Sequence, residues 1–175
     1  MKRTILVFLS CALLPALGWA QAAHKGAMAK GPMSDQDFVD FAAQTDMAEA
    51  HFGQMAQDQA GTQAVKDYGQ MLTTDHTSDY NQLTAAAGKA NLTVPKGLDH
   101  KHDAMIAPFE KLKGATFDRR FLHEMVSGHE QAIAVYKRES NDAQNADLKA
   151  YATQALPVLE KHLHDAETLE KNPGK

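Results

Sequence analysis

The sequence predicts an all-α fold: a four-helix bundle in which two antiparallel hairpins are joined by a long crossover carrying a short, broken helix. Three observations predict it. Four segments repeat apolar residues at helical spacing, so each carries one apolar stripe. Glycines and capping residues divide these segments so that two connections are short and one is long. No segment shows the period-2 alternation of a half-buried strand, and Ala, Met, Gln and Leu stand where β-structure would place branched residues.

The N-terminus is set apart from the fold. Met1-Lys2-Arg3 is basic, Ile5 to Ala16 is apolar but short for a bilayer, and Gly18-Trp19-Ala20 has a small-x-small end. These are the three parts of a secretory signal peptide, residues 1–20, with cleavage expected after Ala20. Phe8-Leu9-Ser10 before Cys11 fits a lipobox poorly. The expected destination is the periplasm or another exported location. Cleavage removes Cys11 and Trp19, the only cysteine and the only tryptophan, so no disulfide and no thiolate metal site is expected. Cleavage also removes Lys2 and Arg3 from the 18 basic residues, leaving 16 against 22 acidic ones, a net charge of −6. That balance argues against nucleic acid and against an anionic membrane surface as partners. No later apolar run is long enough to span a membrane.

Residues 21–33, rich in Ala, Gly, Lys and Met, read as a flexible tether. A single domain is then expected over residues 34–170. Ser34 is a good N-cap, with Asp35 and Asp37 in the first turn where the helix dipole favours negative charge. Helix one follows to about Ala60, with Phe38, Phe41, Ala42, Thr45, Glu49, Phe52 and Ala56 inward. Gly61 breaks it, Thr62 caps the next, and helix two runs to about Gly88 on a stripe of Val65, Gly69, Leu72, His76, Leu83 and Ala87. So short a connection makes an antiparallel hairpin.

Residues 89–115 form the crossover. Leu92 to Gly97 is extended, Asp99 to Ile106 is helical, Pro108 interrupts, and Gly114 ends the piece. Thr116 is the expected cap of helix three, whose stripe is Phe117, Phe121, Leu122, Met125, His129, Ala132, Ile133 and Tyr136. The polar run Glu139 to Asn145 reads as a turn. Helix four runs from about Ala146 to Leu169 with Leu148, Ala152, Ala155, Leu156, Leu159, His162, Leu163 and Ala166 inward, and Pro157 is expected to kink it. Two hairpins joined by a long crossover is the connectivity of ferritin-like bundles.

From Phe38 to Leu169 the chain resembles the exported bacterial proteins grouped as domain of unknown function 4142, classed with ferritin-like folds. The resemblance rests on Met47-Ala48-Glu49, on Met71 with Asp75-His76, and on Gly114-x-x-Phe117-Asp118. It continues through Met125-Val126-x-x-His129-Glu130 and Leu156-Pro157-x-Leu159-x-x-His162-Leu163. One departure is Phe121, where the family often has Tyr. The resemblance implies an exported helical bundle and no established activity.

Glu49, His76, His129 and His162 each replace an apolar residue on an inward face, one per long helix. Ferritin-like di-iron sites need Glu-x-x-His on two helices, and no Glu here has His three residues later. Imidazoles with one carboxylate instead suit a single Zn²⁺, Cu²⁺ or Ni²⁺ ion. Counted from the turns, Glu49 and His76 fall at similar depth. His129 and His162 are offset by roughly 9 Å, which sets His162 a layer away from the other three. The competing reading is a buried polar network in which Asp75, Asp79, Tyr68 or Tyr136 satisfies the histidines. His51, His100, His102, His123 and His164 fall off the stripes and read as solvated, and His24 belongs to the tether. Met28, Met33, Met47, Met55 and Met71 could hold copper(I) loosely or simply fill gaps. No cysteine remains and no serine stands in a nucleophile elbow. A Glu–His pair could do acid–base work, but no substrate pocket can be read. Three classes therefore stay open: a metal- or ligand-binding module, a structural or interaction protein of the cell envelope, and an enzyme.

Overall fold

The computed structural model describes residues 33–172. The expected signal peptide, and the expected tether apart from Met33, lie outside these residues. The described chain is all-helical: α1 Asp35–Gln59, α2 Gln63–Lys89, α3 His100–Ile106, α4 Gly114–Asp142 and α5 Ala146–Lys171, with a 3₁₀ turn Ala107–Phe109 after α3. Among the described residues there is no β-strand, only one bridge between Ala60 and Gly114. No described helix is long and apolar enough to cross a membrane.

Local chemistry sets the ends. The Ser34 hydroxyl accepts from Asp37 N, Thr62 from Val65 N, and Asn145 Oδ1 from Asp147 N and Leu148 N. Two ends differ from expectation. α4 starts at Gly114, after a Lys113 cap without a side-chain bond, rather than behind a Thr116 cap. Gly114 takes φ +58°, a conformation that favours glycine, and so turns the crossover directly into the helix. A Cβ on Gly61 would lie 2.9 Å from Gly114 Cα, and Asp118 Oδ1 accepts from Gly61 N at 2.9 Å. The α1–α2 turn is thereby fixed to the start of α4.

The second difference lies at the far end of α4, which runs through the expected turn to Asp142. Glu139 is buried and paired with Arg138 Nε at 2.8 Å, so the helix continues through the polar run with Glu139 inward and Asn141 and Asp142 exposed. Only Ala143, Gln144 and Asn145 connect to α5, and Asp35 accepts from the backbone N–H groups of Gln144 and Asn145. α5 continues as one helix through Pro157.

Within each hairpin the helices pack along one another, and α2 also meets α5 as α1 meets α4. α1 and α2 come closest at Gly53 and Gly69. A Cβ at Gly53 would stand 2.5 Å from Gly69 O, and one at Gly69 would stand 2.6 Å from Ala56 Cβ. The Thr73 hydroxyl is shared between Gly69 O in its own helix at 3.0 Å and Ala50 O across this contact at 3.3 Å. The crossover lies against α1: Gln36 bonds both backbone groups of Thr93, while Gln44 donates to Gly97 O and accepts from Asp99 N.

The apolar core has two parts. One gathers Phe38, Ala42, Leu83, Ile133, Tyr136, Leu148 and Leu159; the other gathers Phe52, Val65, Leu72, Phe109, Phe121, Met125 and Ala166. On α2, α4 and α5 a single buried histidine falls between the two groups, and on α1 Asp46 and Glu49 lie at the changeover.

Candidate functional site

Glu49, His76, His129 and His162 meet between the two apolar clusters. Their exposures are 5%, 2%, 0% and 0%. Glu49 Oε2 lies 2.8 Å from His76 Nε2 and 3.0 Å from His129 Nε2. The three imidazole centroids are 5.1, 5.3 and 5.8 Å apart, and one ring nitrogen from each lies within 4.8 Å of the others. His162 is therefore part of the cluster, not a layer away. The reason is the extra length of α4. His129 stands thirteen residues before Asp142, and His162 sixteen after Ala146. Glu49 stands ten before Gln59, and His76 thirteen after Gln63. Both hairpins carry the same three-residue offset, roughly 4.5 Å of rise, and the four residues come level.

Each imidazole is held from behind. His76 Nδ1 pairs with Asp46 Oδ1 at 2.9 Å, His129 Nδ1 donates to Met125 O at 2.8 Å, and His162 Nε2 pairs with Asp75 Oδ2 at 2.9 Å. Tyr68 donates to the His162 carbonyl at 3.1 Å and fixes that turn of α5. Rear bonds of this kind fix ring orientation and leave the other nitrogen facing the centre.

At the centre the contacts are short, but they are not aligned as hydrogen bonds. Among the described residues, six buried side-chain atoms lack a hydrogen-bond partner, and four of them are Glu49 Oε2, His76 Nε2, His129 Nε2 and His162 Nδ1. His129 makes the problem sharp. Its Nδ1 proton goes to Met125 O, so a neutral ring turns a lone pair toward a carboxylate oxygen 3.0 Å away. Only a proton or another cation makes that contact favourable.

Electrostatics supply one such proton. Burial disfavours charge on His76, but Glu49 and Asp46 outweigh it and raise its pKa to about 10. Burial would raise Glu49, yet His129 and His76 hold it down to about 2. Burial pushes His129 below its ordinary value, and burial together with the His76 charge takes His162 to about 4. These directions favour one ion pair, Glu49 with His76, and disfavour charge on His129 and His162. Asp46 is raised by burial to about 7 despite its bond to His76.

Asp46 was not among the expected residues. It sits three residues before Glu49, one turn away on nearly the same face, and that i, i+3 carboxylate pair is the signal that marks it. Of the expected partners, Asp75 holds His162. Asp79 accepts from Tyr151 at 2.7 Å, and Tyr151 meets Tyr136 at 3.0 Å. His51, His100, His123 and His164 are exposed as expected. His102 is half-buried and tied to Asp99 Oδ1 at 2.7 Å. Of the five methionines considered for copper(I), Met28 lies outside the described residues and the other four are engaged elsewhere: Met47 and Met55 pack on the apolar clusters, Met33 Sδ accepts from Arg138 and Met71 Sδ from Lys161.

Among solved structures, one described as "CopM in the Cu(II)-bound form" is similar, with a TM-score of 0.66 and 15% identity over 79% of this chain and 97% of that one. At that identity the likeness is one of fold. No curated protein matches the chain. The family model described as Domain of unknown function (DUF4142) matches residues 20–169. The chain belongs to the DUF4142 family.

Proposed function

We propose that the protein is an exported, ferritin-like four-helix bundle that binds one divalent transition-metal ion, Zn²⁺ or Cu²⁺. The donors would be Glu49 Oε2, His76 Nε2, His129 Nε2 and His162 Nδ1. The observation that carries this reading is the convergence of four buried, partnerless donor atoms, one from each long helix. The Glu49–His76 ion pair answers two of them, but the lone pairs of His129 and His162 stay unanswered at about 1–3 kcal/mol each, a sizeable share of a total stability of about 5–15 kcal/mol. An ion offsets that cost, and the rear bonds to Asp46, Met125 and Asp75 already aim the lone pairs. Three neutral imidazoles and a carboxylate are donors that zinc and copper(II) accept. The fold neighbour holds Cu(II), which puts copper beside zinc as the first ion to test. Four protein donors close a tetrahedral site and favour holding an ion over catalysis. The basic, apolar and small-residue parts of residues 1–20 support export.

One observation favours a second reading, a structural envelope protein with a buried polar network. With His76 protonated, Asp46 and Glu49 flank one imidazolium at 2.9 and 2.8 Å. Metal content decides between the two. Protein dialysed against Zn²⁺ or Cu²⁺ and then against buffer should retain one ion per chain, with nitrogen hyperfine coupling in the Cu²⁺ spectrum. Retention of none would favour the polar network.

A further inference from the structure

We propose that the ion reaches this centre through the cleft between α2 and α5, drawn in by the acidic side chains at its mouth. The inference rests on the metal-binding reading above and names the route by which that site fills.

Among the described residues, openings on three sides touch the central residues. The first, of about 180 Å³, lies between α2 and α5 and is lined by Asp75, Asp79, Gln82 and Gln154, with His76 and His162 at its floor. It reaches two of the four proposed donors, both with a buried nitrogen that has no hydrogen-bond partner. The second, of about 110 Å³, reaches Glu49 from the side of α3. There Glu124 is offset by Lys101, and the walls include Phe41, Phe52 and Met105. The third, of about 200 Å³, reaches His76 beside Asp46, and its other lining residues are uncharged.

Charge decides among them. A hydrated dication must exchange water for polar groups as it enters, and an apolar wall offers none. A cleft lined by charge of one sign also concentrates counter-ions. The α2–α5 cleft has no Lys or Arg in its lining, the His76 charge at its floor is answered by Glu49, and it carries Asp75 and Asp79 one turn apart on α2. Asp75 also acts on the floor. Its side chain is 39% exposed, while the His162 it holds is 0% exposed. Of the three groups behind the imidazoles it alone reaches solvent, since Asp46 and Met125 are each 1% exposed. Asp75 is thus the positioning residue that links the cleft mouth to a donor ring.

The test adds positive charge at two openings through exposed residues. Gln82→Lys with Gln154→Lys places two cations at the α2–α5 cleft, and Gln131→Lys places one at the α3 side. All three glutamines are exposed, so the fold should persist, and a far-ultraviolet spectrum checks it. Zn²⁺ uptake is followed by stopped flow against a chromophoric chelator. At low ionic strength the cleft variant should take up Zn²⁺ about tenfold more slowly than wild type, and the gap should close in ~1 M salt. Gln131→Lys should stay within about twofold of wild type. If wild type binds Zn²⁺ but the cleft variant keeps its rate, or if Gln131→Lys slows uptake as much, the route is wrong while the metal site stands. If wild type takes up no Zn²⁺ or Cu²⁺, both fall.

Discussion

Replacing His162 with Ala should abolish most of the stabilisation that Zn²⁺ or Cu²⁺ gives the fold. His162 supplies one of four proposed donors, and its ring sits 5.1 and 5.3 Å from those of His76 and His129. An ion present at 100 times its dissociation constant stabilises the native state by about 2.7 kcal/mol. For a domain of this size that raises the melting temperature by about 8–10 °C. Loss of a rear partner alone weakens a site about 10–100-fold, so loss of a donor should cost at least about 100-fold. The same ion concentration then only matches the weakened dissociation constant. The stabilisation shrinks to about 0.4 kcal/mol, or roughly 1 °C.

The ion-free variant will also be less stable, by about 1–3 kcal/mol. It loses the bond to Asp75 and leaves a hole, though it also removes a partnerless buried nitrogen. The readout is therefore the metal-dependent increment and not the absolute melting temperature. His123→Ala is the control, because that side chain is 79% exposed. Thermal melts of the three proteins, with and without ion, carry the test. If His162→Ala keeps more than half of the wild-type increment, or His123→Ala loses it too, the assigned donor set is wrong.

Ion binding near pH 7.5 should release about one proton per chain. His76, held at about 10, is protonated before binding, while Glu49, at about 2, is already ionised. Calorimetry in two buffers of different ionisation enthalpy counts that proton, and a count of zero contradicts the assignment. In the ion-free protein, the raised His76 contributes stability that is full below about pH 6.5 and fades as pH rises through about 10. The depressed Glu49 contributes stability present above about pH 4.5 and lost as pH falls toward 2. Urea melts across pH should lose the alkaline decline in a His76→Ala variant; an unchanged decline would point to another group. Asp75→Asn should weaken equilibrium ion affinity about 10–100-fold by loosening the His162 ring, and an unchanged dissociation constant would deny it that role. Gly69→Ala should lower the urea midpoint. The new methyl would meet Ala56 Cβ at 2.6 Å and Gly53 O at 2.7 Å, and overpacking of about 1–3 kcal/mol outweighs a helix-propensity gain of about 1 kcal/mol. An equal or higher midpoint would show that α1 and α2 can separate without cost.

The helices were readable because their ends are chemically marked. Ser34, Thr62 and the Asn145–Ala146 boundary stand at helix starts, and Gly61 at a turn. The four inward polar residues were readable for the opposite reason: each breaks an apolar stripe that is otherwise regular. What stayed hidden depends on tertiary contact. Glu139, Ser140, Asn141 and Asp142 look like a turn by propensity, and only the burial of Glu139 beside Arg138 reveals a continuing helix. That misplaced end carried the error in the depth of His162, since residues lost from α4 became a false axial offset. Asp46 stayed hidden because a carboxylate beside an apolar stripe reads as solvated until a histidine from another helix is seen to reach it.

A polar centre between two dry clusters also explains why the carboxylates number what they do. Without an ion, the proton on His76 answers the charge of Glu49, and burial keeps Asp46 near the point of protonation. With a dication in place of that proton, His76 would keep its Nδ1 hydrogen and donate it to Asp46, which would then ionise. One dication, Glu49 and Asp46 together would sum to zero, so the buried centre would carry no net charge into a low-dielectric core where an unbalanced charge would cost several kcal/mol. Asp75 stays at the wet edge, where water answers its charge. A pair of dications would need about two further carboxylates to reach the same balance, and the residues facing this centre do not supply them. The charge count therefore favours a single ion on the same grounds as the absence of Glu-x-x-His from the helices.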